Sequence, residues 1–205
     1  MLVVFPFMER KMKRLLQVTA MATVMAVLGF GPAMANEYEG KLKALAAGQL
    51  AAIAADPVVI KAVKAQNEAH AAFDAAKIDE QDKLWRAEAE KGGGAMTNAL
   101  LANDASKLLL AKRDASSGVF AELFVMDNKG LNVGASNLTS DYMQGDEDKW
   151  QKTFQVGADA VLVDAVEQDE SSGVFVSQVS VTVVDPETKA PIGALTAGVD
   201  VQKLP

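Results

Sequence analysis

The period of the apolar positions changes once along the chain, at Gly118, and separates a helical part from a strand part. Between Glu37 and Ala55 the chain is rich in alanine. Tyr38, Leu42, Leu45 and Ile53 recur at helical spacing, which predicts a long first helix with a narrow apolar face. Asp56-Pro57 predicts a restart, with the aspartate as N-cap and the proline in the first turn, where its missing N–H costs nothing. A second helix is expected over 57–76, with Val58, Val59, Ile60 and Val63 near its start. A third, charged stretch over 79–90 contains Leu84 and Trp85, and Gly92-Gly93-Gly94 breaks it. A fourth helix is expected over 95–112, its apolar residues being Met96, Leu100, Leu101, Leu108 and Leu109.

After Gly118 the pattern is that of strands. Residues 119–126 and 131–136 flank Asp127-Asn128-Lys129-Gly130, a turn of the kind that joins hairpin strands. Asp146 is expected to cap a short helix running to about Phe154. Three further strands are expected over 160–167, 174–184 and 192–201, with turns at 169–173 and 185–189. Helices first and strands after indicate an α+β domain, with N-terminal helices (one long) backing a five-stranded antiparallel sheet arranged as a meander.

The last two strands have unlike faces. Phe175, Val179, Val181 and Val183 share one side of the fourth strand, and Gln178, Ser180 and Thr182 the other. On the fifth, Leu195, Ala197, Val199 and Val201 oppose Ala194, Thr196, Gly198 and Asp200. The aliphatic face suits a covering helix. The small, polar face either meets water or leaves room for a ligand.

Composition narrows the class. The 205 residues are 50% hydrophobic, enough for a sizeable core, and no internal repeat or low-complexity linker divides them. The absence of cysteine excludes disulfides and thiolate metal sites. Residues 1–35 read as a signal peptide. Arg10, Lys11, Lys13 and Arg14 form its basic region, Leu15–Phe30 its apolar core, and Ala33-Met34-Ala35 a cleavage site after Ala35. The apolar prefix upstream of those charges is consistent with translation from Met1, Met8 or Met12. An uncleaved anchor is the alternative, since the apolar run nearly spans a bilayer. The expected product is a single periplasmic or secreted domain over 36–205 without a stable membrane span. It would carry 16 Lys+Arg against 26 Asp+Glu. That charge argues against nucleic acid or an anionic membrane surface as partner.

Candidate chemistry concentrates in Thr139–Trp150, a loop with two aromatics, an amide, a lysine and four acids between strand-like runs. It is read as a lid over the polar sheet face. Tyr142 and Trp150 would be pocket walls, core plugs being the alternative. Acids at 146–148 have a local explanation in the helix dipole, and no spaced oxygen-ligand loop accompanies them. Asp127 is read as part of its turn. His70, the single histidine, lies on a polar helix and is expected to face solvent. No nucleophile elbow or phosphate-cradling glycine loop is present, and no carboxylate pair is singled out by spacing. The residues thus point to binding rather than catalysis, with no cofactor or metal implied.

The runs 121–127 and 130–133, Thr139-Ser140-Asp141-Tyr142, 144–147, Lys149-Trp150, 178–181, 191–194 and Gly198-Val199-Asp200 together resemble the extracellular PDC, or Cache, sensor domains. Asp56-Pro57 and Leu84-Trp85 extend the likeness upstream. The resemblance implies a PAS-like sheet that holds a small carboxylate or amino acid. The expected ligand-binding residues are Tyr142, Lys149, Trp150, Gln178, Ser180, Thr182, Thr196 and Asp200. By the same likeness Lys149-Trp150 sits where relatives carry a cation and an aromatic, and Asp200 where amino-acid-binding relatives face the ligand's amine. Lysine in place of arginine removes bidentate carboxylate capture. Such sensors are normally fused to membrane helices and a kinase or chemotaxis output. A chain ending at Pro205 would act as a free module or pass its signal to a membrane sensor or transporter. A homodimer through the first helix and a ligand-free interaction subunit are further expectations of this likeness.

Overall fold

The structure, a computed structural model, describes residues 37–168 and 174–205. The expected signal peptide at 1–35 and the expected turn at 169–173 lie outside these residues. The first helix, α1, runs Glu39–Ala54, with a π-helical turn at Ala46–Leu50. That wider turn carries the apolar stripe from Leu42, Leu45 and Ala46 on to Leu50, Ile53 and Ala54, all of them buried. A 67° bend leads to α2 (Pro57–Ala69), where the Asp56 carboxylate accepts the Val58 N–H at 2.9 Å, as the Asp-Pro pair predicts.

Side-chain contacts override the expected helix limits in two places. Helix α2 ends at Ala69 rather than near 76, because Phe73 folds back to stack on His70 at 4.2 Å. Asp74 then caps α3 (Ala75–Ala89) through the Lys77 N–H. The single helix expected over 95–112 is two, α4 (Ala95–Leu101) and α5 (Asp104–Asp114). Asn103 starts the second by accepting the Ser106 N–H at 2.8 Å, and its amide donates to the Val133 carbonyl at 2.8 Å. The short helix α6 covers Asp148–Gln151, with Glu147 rather than Asp146 at its N-cap position.

Strands β1 (Phe120–Met126), β2 (Asn132–Ala135), β3 (Val161–Gln168), β4 (Phe175–Val184) and β5 (Pro191–Asp200) form one antiparallel sheet in the order β2-β1-β5-β4-β3. The class is α+β as expected, but the sheet is not a meander. The last strand inserts between β1 and β4, which suits its residues, since every position from Gly193 to Asp200 is buried. Strand β3, with Asp164 and Glu167, takes an edge, where charge discourages pairing with another chain. Gly193 is required at the centre, because a Cβ there would lie 2.1 Å from the Met126 carbonyl oxygen across the β1–β5 pair. Gly130 closes the β1–β2 turn at φ 78°.

The aliphatic sheet face is covered as its period predicts, except at Phe175, which is exposed at the start of β4. Leu42, Leu50, Val59 and Val63 from the helices pack on Leu123, Val125, Val179, Val181, Leu195, Ala197 and Val199. Among the described residues no single helix is long and apolar enough to cross a membrane.

Candidate functional site

The other sheet face is organised in rows across the strands. Ala135, Phe124, Thr196, Ser180 and Leu162 make one row. Glu122, Gly198 and Gln178 make the next. Asp200, Val176 and Glu167 make a third. The first row is covered and the other two open into a cleft.

Trp150 closes the covered end. It packs with Phe124, Met126, Ala135 and Ala194, stacks on Phe154 at 5.0 Å, and donates its Nε1–H to the Asp127 carbonyl at 3.0 Å. Tyr142 lies in a separate cluster with Trp85 and Leu131. Its ring stacks on Trp85 at 5.4 Å, and the Trp85 indole donates to the Thr139 carbonyl at 2.9 Å. Burial, and then the charge of Asp127, push the Tyr142 hydroxyl to a higher pKa. Both aromatics are therefore plugs under the loop and not walls of the cleft. Residue type cannot distinguish the two, because each role takes an apolar ring with a polar handle.

Lys149 is also held inside. Its side chain is 10% exposed, and its ammonium donates to Gln144 Oε1 at 2.9 Å, pairs with Glu147 at 2.9 Å and sits over the Phe124 ring at 5.2 Å. Ser180 and Thr196 hydrogen-bond to each other at 2.9 Å, and the Thr182 hydroxyl donates to the Gly157 carbonyl at 2.7 Å. These four polar groups thus have their hydrogen bonds inside the protein. None of them lines the cleft.

Of the expected site residues, the structure brings Gln178 and Asp200 to the cleft, an open cavity of about 840 Å³. Asp200 is only 8% exposed. Its Oδ1 accepts the Gln202 N–H at 3.0 Å and caps the 3-10 turn Val201–Lys203. Among the described residues its other oxygen has no partner, and neither has the Gln178 amide. Gly198 keeps the floor between them low, and the Glu122 side chain lies over it. Glu122, Asp164 and Glu167 line the cleft as well and were not among the expected residues. Glu122 could have been found by continuing the two-residue period to β1. Glu167 required the register of the edge strand.

The lid loop is pinned from α3. Asp82 accepts the N–H groups of Tyr142 and Met143 at 2.9 and 3.0 Å and pairs with Arg86, which also reaches Asp141 at 3.3 Å. Burial acts to raise the Asp82 pKa, but Arg86 and the two amides outweigh it and hold the carboxyl below its ordinary value of 3.8. Its contribution is therefore complete above pH 3.8 and is lost as pH falls through the lower folded value. An Asp82→Asn variant should melt below the parent at pH 7, with the difference shrinking in acid below pH 3.8. Thermal melts at the two pH values check this. A difference that grows in acid would be the wrong sign.

Asp127 and His70 are more than a turn residue and a surface histidine. Asp127 is fully buried. Its Oδ1 accepts the N–H groups of Lys129 and Leu131, and its Oδ2 accepts from the Gln66 amide at 3.0 Å and meets His70 Nδ1 at 3.0 Å. His70 faces this carboxylate with its side chain 15% exposed. Among the described residues no group of three or more histidines and acids is placed to hold a metal ion.

No family model matches the chain and no curated protein matches it. Among solved structures it is similar to the sensor domain of the Vibrio cholerae histidine kinase DctB, with 13% identity over 82% of this chain and 57% of that one, at a TM-score of 0.44. It is similar to the Escherichia coli DcuS sensor domain, with 13% identity, covering 80% of this chain and 95% of that one, at a TM-score of 0.45. A third is the ligand-binding domain of the Campylobacter jejuni chemoreceptor Tlp3 in complex with 4-methylisoleucine, with 14% identity, covering 82% and 61%, at a TM-score of 0.39. The chain thus spans less than two thirds of the DctB and Tlp3 domains.

Proposed function

We propose that this chain is a non-catalytic, exported sensor domain that binds a small, amino-acid-like organic solute in the cleft on the polar sheet face. The observation that carries the reading is Asp200, buried to 8% exposure beside an open cavity with one carboxylate oxygen unused. That oxygen faces the open cavity, and a ligand that supplies a donor there completes the hydrogen bonds of the carboxylate. An amine would meet Asp200, and the Gln178 amide would orient the polar body beside it. The sequence resemblance to PDC sensors supports a solute site on the polar sheet face, where it singles out Gln178 and Asp200, and supports export. Lys149 has its own partners in Gln144 and Glu147, so it supports the loop and does not reach the solute.

A ligand-free interaction subunit docking through the first helix fits less well. Leu42, Leu45, Leu50 and Ile53 of α1 are buried in the domain's own core, and the cleft is open. A carboxylate-only hydrolase would need one acid in an apolar pocket to keep its proton. The cleft acids lie in polar, open surroundings.

The direct test is a thermal-shift screen of amines, amino acids and organic acids. A true ligand at 100 times its Kd adds about 2.7 kcal/mol of stability. Hits should vanish in a folded Gln178→Ala/Asp200→Asn variant. Hits that persist there place the site elsewhere.

A further inference from the structure

The row that holds Glu122, Gly198 and Gln178 continues past β1 onto the chain that leaves β2. The Ser136 N–H donates to the Leu123 carbonyl at 2.7 Å, so the β1–β2 pairing runs on beyond Ala135 and its register sets Asn137 opposite Glu122. Ala135 packs on the polar face, and the two-residue period returns Asn137 to that face, where it is exposed and lines the cleft. Asn137 lies outside every run that carries the likeness to PDC sensors.

The direction of this amide is fixed by its partners. Arg113, at the end of α5, donates from Nη1 to Asn137 Oδ1 at 2.7 Å and reaches the Ser136 carbonyl at 3.3 Å. The Ser136 hydroxyl donates to the same Oδ1 at 2.6 Å, while its oxygen accepts the Leu123 N–H at 2.8 Å. A guanidinium has no acceptor, so the atom that faces it must be the amide oxygen. The N–H₂ group is therefore turned away from Arg113, and among the described residues it has no partner. Two donors on Oδ1 polarise the amide and make its N–H₂ a better donor. Arg113 is itself paired with Asp114 at 2.7 Å, so the cleft meets an oriented dipole here and not a free charge.

The cleft thus carries two unused groups of opposite kind. Asp200 offers a carboxylate oxygen, which accepts, and Asn137 an N–H₂, which donates. Glu122 and Asp164 line the cleft as well, each with an interaction of its own. We propose that Asn137 receives the acceptor end of the solute, a carboxylate or carbonyl oxygen, while the amine meets Asp200. Arg113 is the positioning residue that holds the amide for this role. The proposal rests on the solute-binding reading above and adds the polarity of the bound molecule, amine end over β5 and oxygen end toward β2.

Calorimetric titration of the purified protein with three matched series tests it. They are ω-amino acids with one to four methylenes between ammonium and carboxylate, the alkylamines of equal length, and the corresponding ω-amino amides. The measured optimum then fixes the separation of the two groups. At that length the amino acid should bind roughly 10-fold or more tighter than the alkylamine, the worth of a hydrogen bond to a charged acceptor, with the amide between them. Asn137→Asp keeps the oxygen that Arg113 and Ser136 meet and replaces the N–H₂ by an acceptor. At this exposed position the fold is not at risk, which thermal melts verify. The variant should bring the amino acid down to the alkylamine level or below and leave the alkylamine no weaker. Arg113→Met should weaken the amino acid alone, and an equal loss of the alkylamine overturns the positioning role. Equal amino-acid affinity in the parent and Asn137→Asp overturns the inference, but if that affinity still falls in Asp200→Asn the solute-binding reading stands. Amides that bind no better than alkylamines overturn it too, since they would assign the carboxylate to a cation. Silence from all three series also overturns the inference. Only an empty broader screen, or hits indifferent to the Gln178→Ala/Asp200→Asn change, removes the reading beneath it.

Discussion

Trp150→Ala should lower the unfolding free energy by about 3–5 kcal/mol, the usual cost of emptying a large aromatic site. For a domain of ordinary stability, about 5–15 kcal/mol, that is about a fifth of the total at the least. The indole fills the covered end of the polar face, between Phe124, Met126, Ala135 and Ala194, and ties α6 to the β1–β2 turn through the Asp127 carbonyl. No neighbouring side chain is placed to replace both the packing and the hydrogen bond. Chemical denaturation followed by circular dichroism measures the loss. Because the ring does not line the cleft, solute affinity of the folded fraction should change only a few-fold, whereas Asp200→Asn should do the reverse. A Trp150→Ala protein of parental stability that has lost its ligand would make the tryptophan a binding residue after all.

Asp127→Ala should cost about 3 kcal/mol or more, through orphaned donors and not through lost volume. The carboxylate is fully buried and takes the Lys129 and Leu131 amides on one oxygen and the Gln66 amide and His70 on the other. Removing it leaves the N–H of Leu131 in a place water does not reach, since that residue is itself buried. It also loosens the tie between α2 and the hairpin, where Gln66 and the C-cap His70 meet this carboxylate. Gln66 still donates to the Asn132 carbonyl at 3.0 Å, and Asn67 still accepts the Asn128 N–H at 2.8 Å. Asp127→Asn can keep the two turn bonds while presenting an amide N–H₂ to the Gln66 donor, so it should lose less. Urea titrations of the two variants, with amide exchange at Leu131, separate the cases. Equal costs would mean the turn bonds contribute little and the Gln66 and His70 contacts carry the effect.

The structure agrees with the sequence where the informative signal is local. The Asp56-Pro57 restart, the hairpin turn closed by Gly130, and the opposite characters of the two faces of β4 and β5 all follow from spacing or backbone chemistry, which need no knowledge of distant neighbours. Disagreements occur where a side chain has a partner far along the chain. Asn103 divides a helix through Ser106 and Val133, and His70 turns inward to Asp127 across 57 positions. Lys149, expected at the ligand, instead pairs within its own loop with Gln144 and Glu147, a local contact that residue type alone does not reveal.

By itself the sequence determined an α+β chain with one aliphatic and one polar sheet face, and it singled out Gln178 and Asp200 among its candidates, because a two-residue period reports which way each side chain points. Only the tertiary structure decided what covers each part of that polar face. It placed β5 between β1 and β4, sealed one end with Trp150, engaged Ser180 with Thr196, and set Glu167 in line with Asp200. The reason is that strand order and the burial of a loop depend on pairings between segments far apart in the chain, and no local pattern encodes them.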